Sequence, residues 1–356
     1  LEHVDFTEFA DVVIQAGDIV VLGRRQLYKS SKQIRELLNT DVIRVVYSNP
    51  RESTLTLKGD VLSLGLSSMV QQQKLVLICC GEMETSWPTL MHDMFVSLIV
   101  DYPGNDVQML RIDEIFARTV KPYKFLFLNG RGRSHRKYLI ERFRLTGLLD
   151  QALWTNLDRT AIPSPMRSLT LVDNGQDLIA TPSPIKLLDA KYELPACRQT
   201  TVPDNVNYVK SHLFDNHWAD GELVAEPYID TYFSLVTETV FDYPYSLRCE
   251  KTYKPIAQGH PFIMVANQGF YCDLHHRGFR TFGHVIDESF DSIADNQTRI
   301  ERIASIVEDL CQQDLAKFLA ECYNVCKYNQ QHLLEIAPQV TQQLPERLTQ
   351  FMQQHL

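Results

Sequence analysis

Two strand-length apolar runs, YFSLVTE over residues 232–238 and PFIMVA over 261–266, enclose a polar turn and a helix that opens on Glu250 and Lys251. A helix between two such strands carries the chain back to the same end of the sheet, so the strands lie parallel with a right-handed crossover. Phosphate is favoured at a helix start, because unpaired N–H groups and the positive end of the helix dipole both face the ligand there. Lys251 adds a full positive charge in that first turn. Glu250 can accept hydrogen bonds from neutral hydroxyls, as an acid does for a ribose in dinucleotide folds. A Glu-Lys pair by itself also opens exposed surface helices, so its meaning depends on context.

A related unit begins at Tyr123. FLFL reads as a strand, Asn129 to Ser134 as a loop, and His135 to Thr146 as a helix closed by Gly147. Five basic residues fall between Arg131 and Lys137, at the carboxyl end of that strand, where ligands bind in open α/β sheets. The plain alternative is a solvated basic turn.

The N-terminal part has the same alternation. The pattern predicts an amphipathic helix over 1–16, a strand over 17–23, a helix from Ser30 to Leu38 and a strand over 41–49. Further strands are expected at 60–64 and at KLVLICCGE, 74–82, whose continuous apolar character suits a central strand covered on both faces. Helices are expected over 91–100 and 111–117. Towards the C-terminus, Ile300, Ile303, Val307, Leu310, Leu315 and Leu319 recur at helical spacing, and a last helix spans 345–356. A chain of 356 residues exceeds one ordinary core and suits two domains. The division read here is 1–118 and 119–335, with an insertion at about 159–220 and a final helix over 336–356.

Composition narrows the function. The net charge of -9 opposes nonspecific attraction to nucleic acid or anionic membrane. No apolar run approaches the roughly 20 residues of a membrane-spanning helix. The eight cysteines form no paired CxxC knuckles and lie mostly in apolar context, which points to reduced thiols and a cytoplasmic setting. G-x-x-x-x-G-K-[ST] and G-x-G-x-x-G are both missing, which argues against a P-loop phosphotransferase or a dinucleotide enzyme.

The central stretch resembles the sugar-nucleotide-binding half of fucosyltransferases and related two-domain (GT-B) glycosyltransferases. The residues that carry the resemblance are Glu238 after a strand, Asp242 to Ser246 as an aromatic-containing spacer, Glu250-Lys251, Gly259, Pro261 and the run Phe262 to Ala266. The tail GF-x-TF with DESFD is similar to glycosyltransferases encoded by some phages and large viruses. The family's usual Thr before Glu-Lys is Cys249 here. The family also opens its second domain with a strand, an Asn, a loop and an Arg on the next helix. Arg136 matches that Arg best, with Arg133 and Arg131 as substitutes.

The resemblance implies an α/β fold of two Rossmann-like domains facing a cleft, with C-terminal helices. It implies transfer of a sugar from a nucleotide-diphosphate sugar, GDP-sugar favoured, to an acceptor hydroxyl on a glycan or other molecule. Lys251, Arg136, Arg133 and Arg131 would hold the pyrophosphate, Glu250 the ribose, and Glu238, Asp242 and Tyr243 the base or sugar. No metal cofactor is required in such a site, since basic side chains and a helix dipole can neutralise the leaving diphosphate. No Asp-x-Asp follows a strand. The general base is expected from the N-terminal, acceptor-side domain, with Glu82 and Glu84 placed for it after the most apolar strand. The alternative on the same fold is a nucleotide- or glycan-binding protein without turnover.

Overall fold

The three apolar runs that begin at Tyr123, near residue 232 and at Phe262 all become parallel strands in the computed structural model, largely buried because helices cover both faces of the sheet they form. The structure describes residues 14–16, 19–23, 44–48, 61, 67–81, 87–129, 133–156, 172–173, 176–177, 221–242 and 246–355. In chain order the strands are β1 (Ile14–Ala16), β2 (Ile19–Gly23), β3 (Arg44–Ser48), β4 (Leu75–Cys79), β5 (Thr89–Met91), β6 (Tyr123–Asn129), β7 (Ala152–Asn156), β8 (Val172–Asp173), β9 (Gln176–Asp177), β10 (Thr231–Thr237) and β11 (Phe262–Val265). The helices are α1 (Ser67–Gln71), α2 (Met94–Asp101), α3 (Asn105–Met109), α4 (Ile112–Ala117), α5 (Ser134–Leu145), α6 (Glu226–Ile229), α7 (Glu250–Ala257), α8 (Phe270–His276), α9 (Asn296–Leu310), α10 (Leu315–Gln342) and α11 (Leu344–His355).

The chain divides into two α/β units. One comprises Leu1–Ser97, Pro163–Ala180 and Ala337–Leu356, the other Leu98–Ile162 and Thr181–Ile336. The division therefore falls at 97/98, within α2, and not at 118/119. Part of the stretch read as an insertion in the second domain, 163–180, groups with the first unit; its described residues are the short antiparallel pair β8 and β9.

In the first unit the sheet order is β1-β2-β3-β4-β5, parallel throughout except for β1 against β2. Ile14–Ala16 is thus strand, where a helix was expected to run through residue 16; pairing with β2 satisfies its main chain in a way amphipathic spacing does not register. Thr89–Met91 likewise extends the sheet beside β4, so the helix expected from Met91 starts at Met94. Val61, the described residue of the strand expected over 60–64, is helical and buried. The last helix supplies the cover for this sheet: Leu344, Leu348 and Met352 of α11 pack with Val46, Val76, Ile78 and Leu90. The helix expected over 30–38 lies outside the described residues.

In the second unit the sheet order is β11-β10-β6-β7, all parallel. Side chains alternate across it. Phe125 and Phe127 meet Phe143 of α5 edge-on, while Leu126 packs with Leu153, Ile115 and Tyr228. Strand β7, ALWTN, is one that the apolar pattern of the chain does not predict. The helical run from Ile300 to Leu319 is broken into α9 and α10 between Leu310 and Leu315.

The order places β7 on one side of β6 and β10 with β11 on the other. Chain direction across the sheet therefore reverses between β6 and β10, and such a switch point leaves an open crevice at the carboxyl ends of the strands. Helix α7 stops in a Schellman arrangement: His260 N–H donates to the Pro255 carbonyl and Gly259 N–H to that of Ile256. Gly259 has φ +63, and a Cβ there would come within 2.1 Å of the Ile112 side chain. Gly259→Ala is expected to destabilise this unit by about 1–2 kcal/mol from the left-handed backbone alone, with displacement of Ile112 adding to it. Urea unfolding measures the change; an unchanged midpoint would contradict the close approach.

Candidate functional site

At the switch point the ends of three strands are tied together by side chains. Asn129, the last residue of β6, accepts a hydrogen bond from Thr237 Oγ1 of β10 at 2.8 Å, and its N–H donates to Thr155 Oγ1 of β7 at 3.0 Å. The chain leaves β10 at Glu238, and this residue joins the starts of α5 and α7. Its carbonyl accepts from His135 Nε2 at 3.0 Å and from Arg136 Nη2 at 3.2 Å, both in the first turn of α5. Its carboxylate serves α7: Oε1 accepts from Cys249 N–H at 3.3 Å and from the Thr252 hydroxyl, and Oε2 from the Cys249 thiol at 2.8 Å and Thr239 N–H at 3.0 Å. Two segments more than a hundred residues apart therefore meet through one acid.

Glu238 is fully buried, with both oxygens engaged by the protein. In this structure it positions the helix start rather than facing outward. Arg136 is also turned inward, 3% exposed, with Nη2 donating to the carbonyls of Thr237 at 2.8 Å and Glu238. Burial first, and Arg133 beside it second, bring its guanidinium down to about 10, which leaves it charged at neutral pH. His135 lies stacked on Phe241 with ring centroids 5.2 Å apart; burial, then the neighbouring Arg136 and Arg133, keep it neutral well below its ordinary value. The helix rotation that seats Tyr138, Leu139 and Phe143 in the core directs residues 135 and 136 inward as well.

The accessible pair is Lys251 and Glu250, whose side chains are 31% and 18% exposed. Lys251 Nζ donates to Glu250 Oε1 and lies 3.2 Å from Cys249 Sγ. Burial opposes ionisation of Glu250, but the Lys251 ammonium, with Cys249 and Lys254 adding to it, holds the carboxyl down to about 2. Burial likewise opposes the Lys251 charge, and the surrounding negative groups, Glu250 and Glu238 among them, raise it above its ordinary value. Pro255 lies inside α7 and has no N–H, so the Lys251 carbonyl lacks its helical donor from that position.

Arg133 is the residue just before α5 and is partly buried. Asp242 is half-buried, its carboxyl pushed up by burial and pulled back by Arg133 and Arg299. No donor reaches Asp242 Oδ1 or, after β11, Asn267 Oδ1, among the described residues. A buried acceptor left without a donor costs about 1–3 kcal/mol, which a donor on a ligand would relieve. Arg299 of α9 lies over the Phe241 ring at 4.4 Å and donates to the Phe241 carbonyl at 2.6 Å, fixing the loop that leads to Asp242.

His135, Thr237, Thr252 and Arg299 belong to this arrangement without standing out in the sequence. Their signal is weak, since a hydroxyl or base that closes an internal bond looks like any other polar residue. The tail motif is explained by folding: Asp291 accepts from the N–H groups of Tyr271 and Cys272 at the start of α8, and Glu288 from Phe282 N–H and the Thr281 hydroxyl. Arg131, Tyr243, Glu82 and Glu84 lie outside the described residues. Among the described residues no group of three or more His, Cys, Asp or Glu side chains is placed to hold a metal ion, and no helix is long and apolar enough to cross a membrane. No family model, curated protein or solved structure matches this chain.

Proposed function

We propose that the chain is a glycosyltransferase that takes a sugar from a nucleoside-diphosphate sugar, a GDP-sugar in preference, and passes it to an acceptor hydroxyl. The observation that carries this reading is the convergence at Glu238 of the basic first turn of α5 and the Glu250-Lys251 start of α7, at the switch point of a parallel sheet. Lys251 and Arg133 are the cations assigned to the diphosphate, with Glu250 on the ribose hydroxyls. Arg136 and Glu238 hold the two helix starts in register. Asp242 and Asn267 offer acceptors to donors on the base or sugar.

As the bond from the sugar to the β-phosphate oxygen breaks, negative charge builds on the departing diphosphate. A fixed ammonium at a helix start stabilises that charge without reorganising at the moment of reaction. The acceptor hydroxyl loses its proton to a base, for which Glu82 and Glu84 remain the assignment. The two-domain GT-B arrangement belongs to the same proposal.

A thermal-shift screen with GDP-, UDP-, ADP- and CMP-sugars tests the donor site. A sugar nucleotide at a hundredfold excess over its Kd is expected to stabilise the protein by about 2.7 kcal/mol, with the GDP-sugar giving the largest rise in Tm. If all four leave Tm where it is, the donor-site reading fails.

A further inference from the structure

We infer that Glu250 acts as a selectivity gate: it excludes bare phosphate and pyrophosphate from Lys251 and admits only a diphosphate whose attached ribose brings a vicinal diol. This rests on the donor-site reading above and adds to it which anions the site refuses.

Lys251 is not an open cation. Its ammonium donates to Glu250 Oε1 and touches the Cys249 sulfur at 3.2 Å, and that thiol is bonded in turn to Glu238 Oε2 at 2.8 Å. The ammonium therefore meets the Glu250 carboxylate directly and Glu238 only through the Cys249 thiol, and Glu250, partly buried with a side chain 18% exposed, lies beside it. An anion approaching Lys251 competes with Glu250 for the ammonium and comes to lie next to that carboxylate. Charges a few ångströms apart near a protein surface repel by several kcal/mol at an effective dielectric of about 20, enough to forfeit the contact with Lys251. A nucleoside diphosphate meets the same repulsion but carries its own compensation. Its ribose hydroxyls donate to the freed carboxylate while the phosphate takes over the ammonium, so the ion pair is exchanged for two ligand contacts instead of being lost. Glu250 is thereby a specificity-determining residue, repelling one part of the ligand and recognising another.

Competition binding on the full chain, read by calorimetry, tests the gate with three probes: GDP, 2′,3′-dideoxyguanosine 5′-diphosphate and inorganic pyrophosphate. For the unaltered protein, GDP is expected to bind about a hundredfold more tightly than pyrophosphate, and the dideoxy nucleotide about tenfold more weakly than GDP. In Glu250→Gln, pyrophosphate gains about tenfold, GDP loses about tenfold, and the dideoxy nucleotide binds as well as GDP. Glu250→Asp keeps the charge and keeps pyrophosphate out. The dideoxy comparison needs no substitution, so the inference stays testable if Glu250→Gln folds poorly. GDP and its dideoxy analogue binding equally to the unaltered protein would overturn the gate while leaving the donor site standing. So would Glu250→Gln weakening GDP and pyrophosphate alike. Failure of all three probes to bind any form of the protein would overturn the donor site and the gate together.

Discussion

Lys251→Ala is expected to weaken binding of a nucleoside-diphosphate sugar on the order of a hundredfold, the loss of one charge-assisted contact to phosphate. The substitution also leaves Glu250 without its ammonium, so the vacated position presents a carboxylate to the incoming diphosphate. Lys251→Arg restores charge but not the compact point geometry of an ammonium, and an intermediate affinity is expected. A parallel change appears without ligand. The Glu250 carboxyl, held at about 2 against an ordinary 4.5, contributes stability that is fully present above pH 4.5 and is lost as pH falls through about 2. Removing Lys251 lets that carboxyl rise, so the acid limb of the Tm profile moves to higher pH. The raised Lys251 value works at the opposite end: its contribution is complete below the ordinary 10.5 and is lost only as pH rises through the folded value. Titration calorimetry with a GDP-sugar and a Tm series across pH check both parts. Equal affinities for the two proteins would remove Lys251 from the diphosphate site.

The second large effect falls on stability. Glu238→Ala is expected to cost the second unit about 3–5 kcal/mol, because it removes a fully buried charge that neighbouring groups depend on. Cys249 N–H, the Cys249 thiol, Thr252 Oγ1 and Thr239 N–H all lose their acceptor, and Arg136 loses a nearby negative charge. Glu238→Gln keeps the shape but turns an amide NH2 towards at least one of those donors, and about 1–3 kcal/mol is expected. Since α7 begins at this anchor, both variants should also lose nucleotide binding beyond what their stability loss explains. Urea unfolding followed by fluorescence, with ligand affinity measured in the folded baseline, separates the two. A cost under about 1 kcal/mol for Glu238→Ala would show that the carboxylate does not hold the helix start.

Glu238 also marks the limit of what its sequence context conveys. An acid at the exit of a strand, eleven residues before a helix cap, fits a ligand contact and an internal anchor equally well. The choice depends on Cys249 and Thr252 arriving beside it. Arg136 is a similar case. Residues 133 and 136 both lie at the start of α5, and only the seating of Phe143 and Leu139 in the core turns one of them inward.

What the chain's own pattern determined is local in origin. Buried runs such as FIMV make strands because every residue of such a run has to leave water, and Gly147 and Gly259 end helices because each takes a left-handed backbone. Glu250 and Lys251 open a helix for reasons contained within one turn. Tertiary structure decided the order β11-β10-β6-β7, the inward turn of Arg136 and Glu238, and the cover that α11 gives to the first sheet. Each of these depends on which distant surfaces meet, and apolar spacing along a chain specifies that a face is buried without specifying against what.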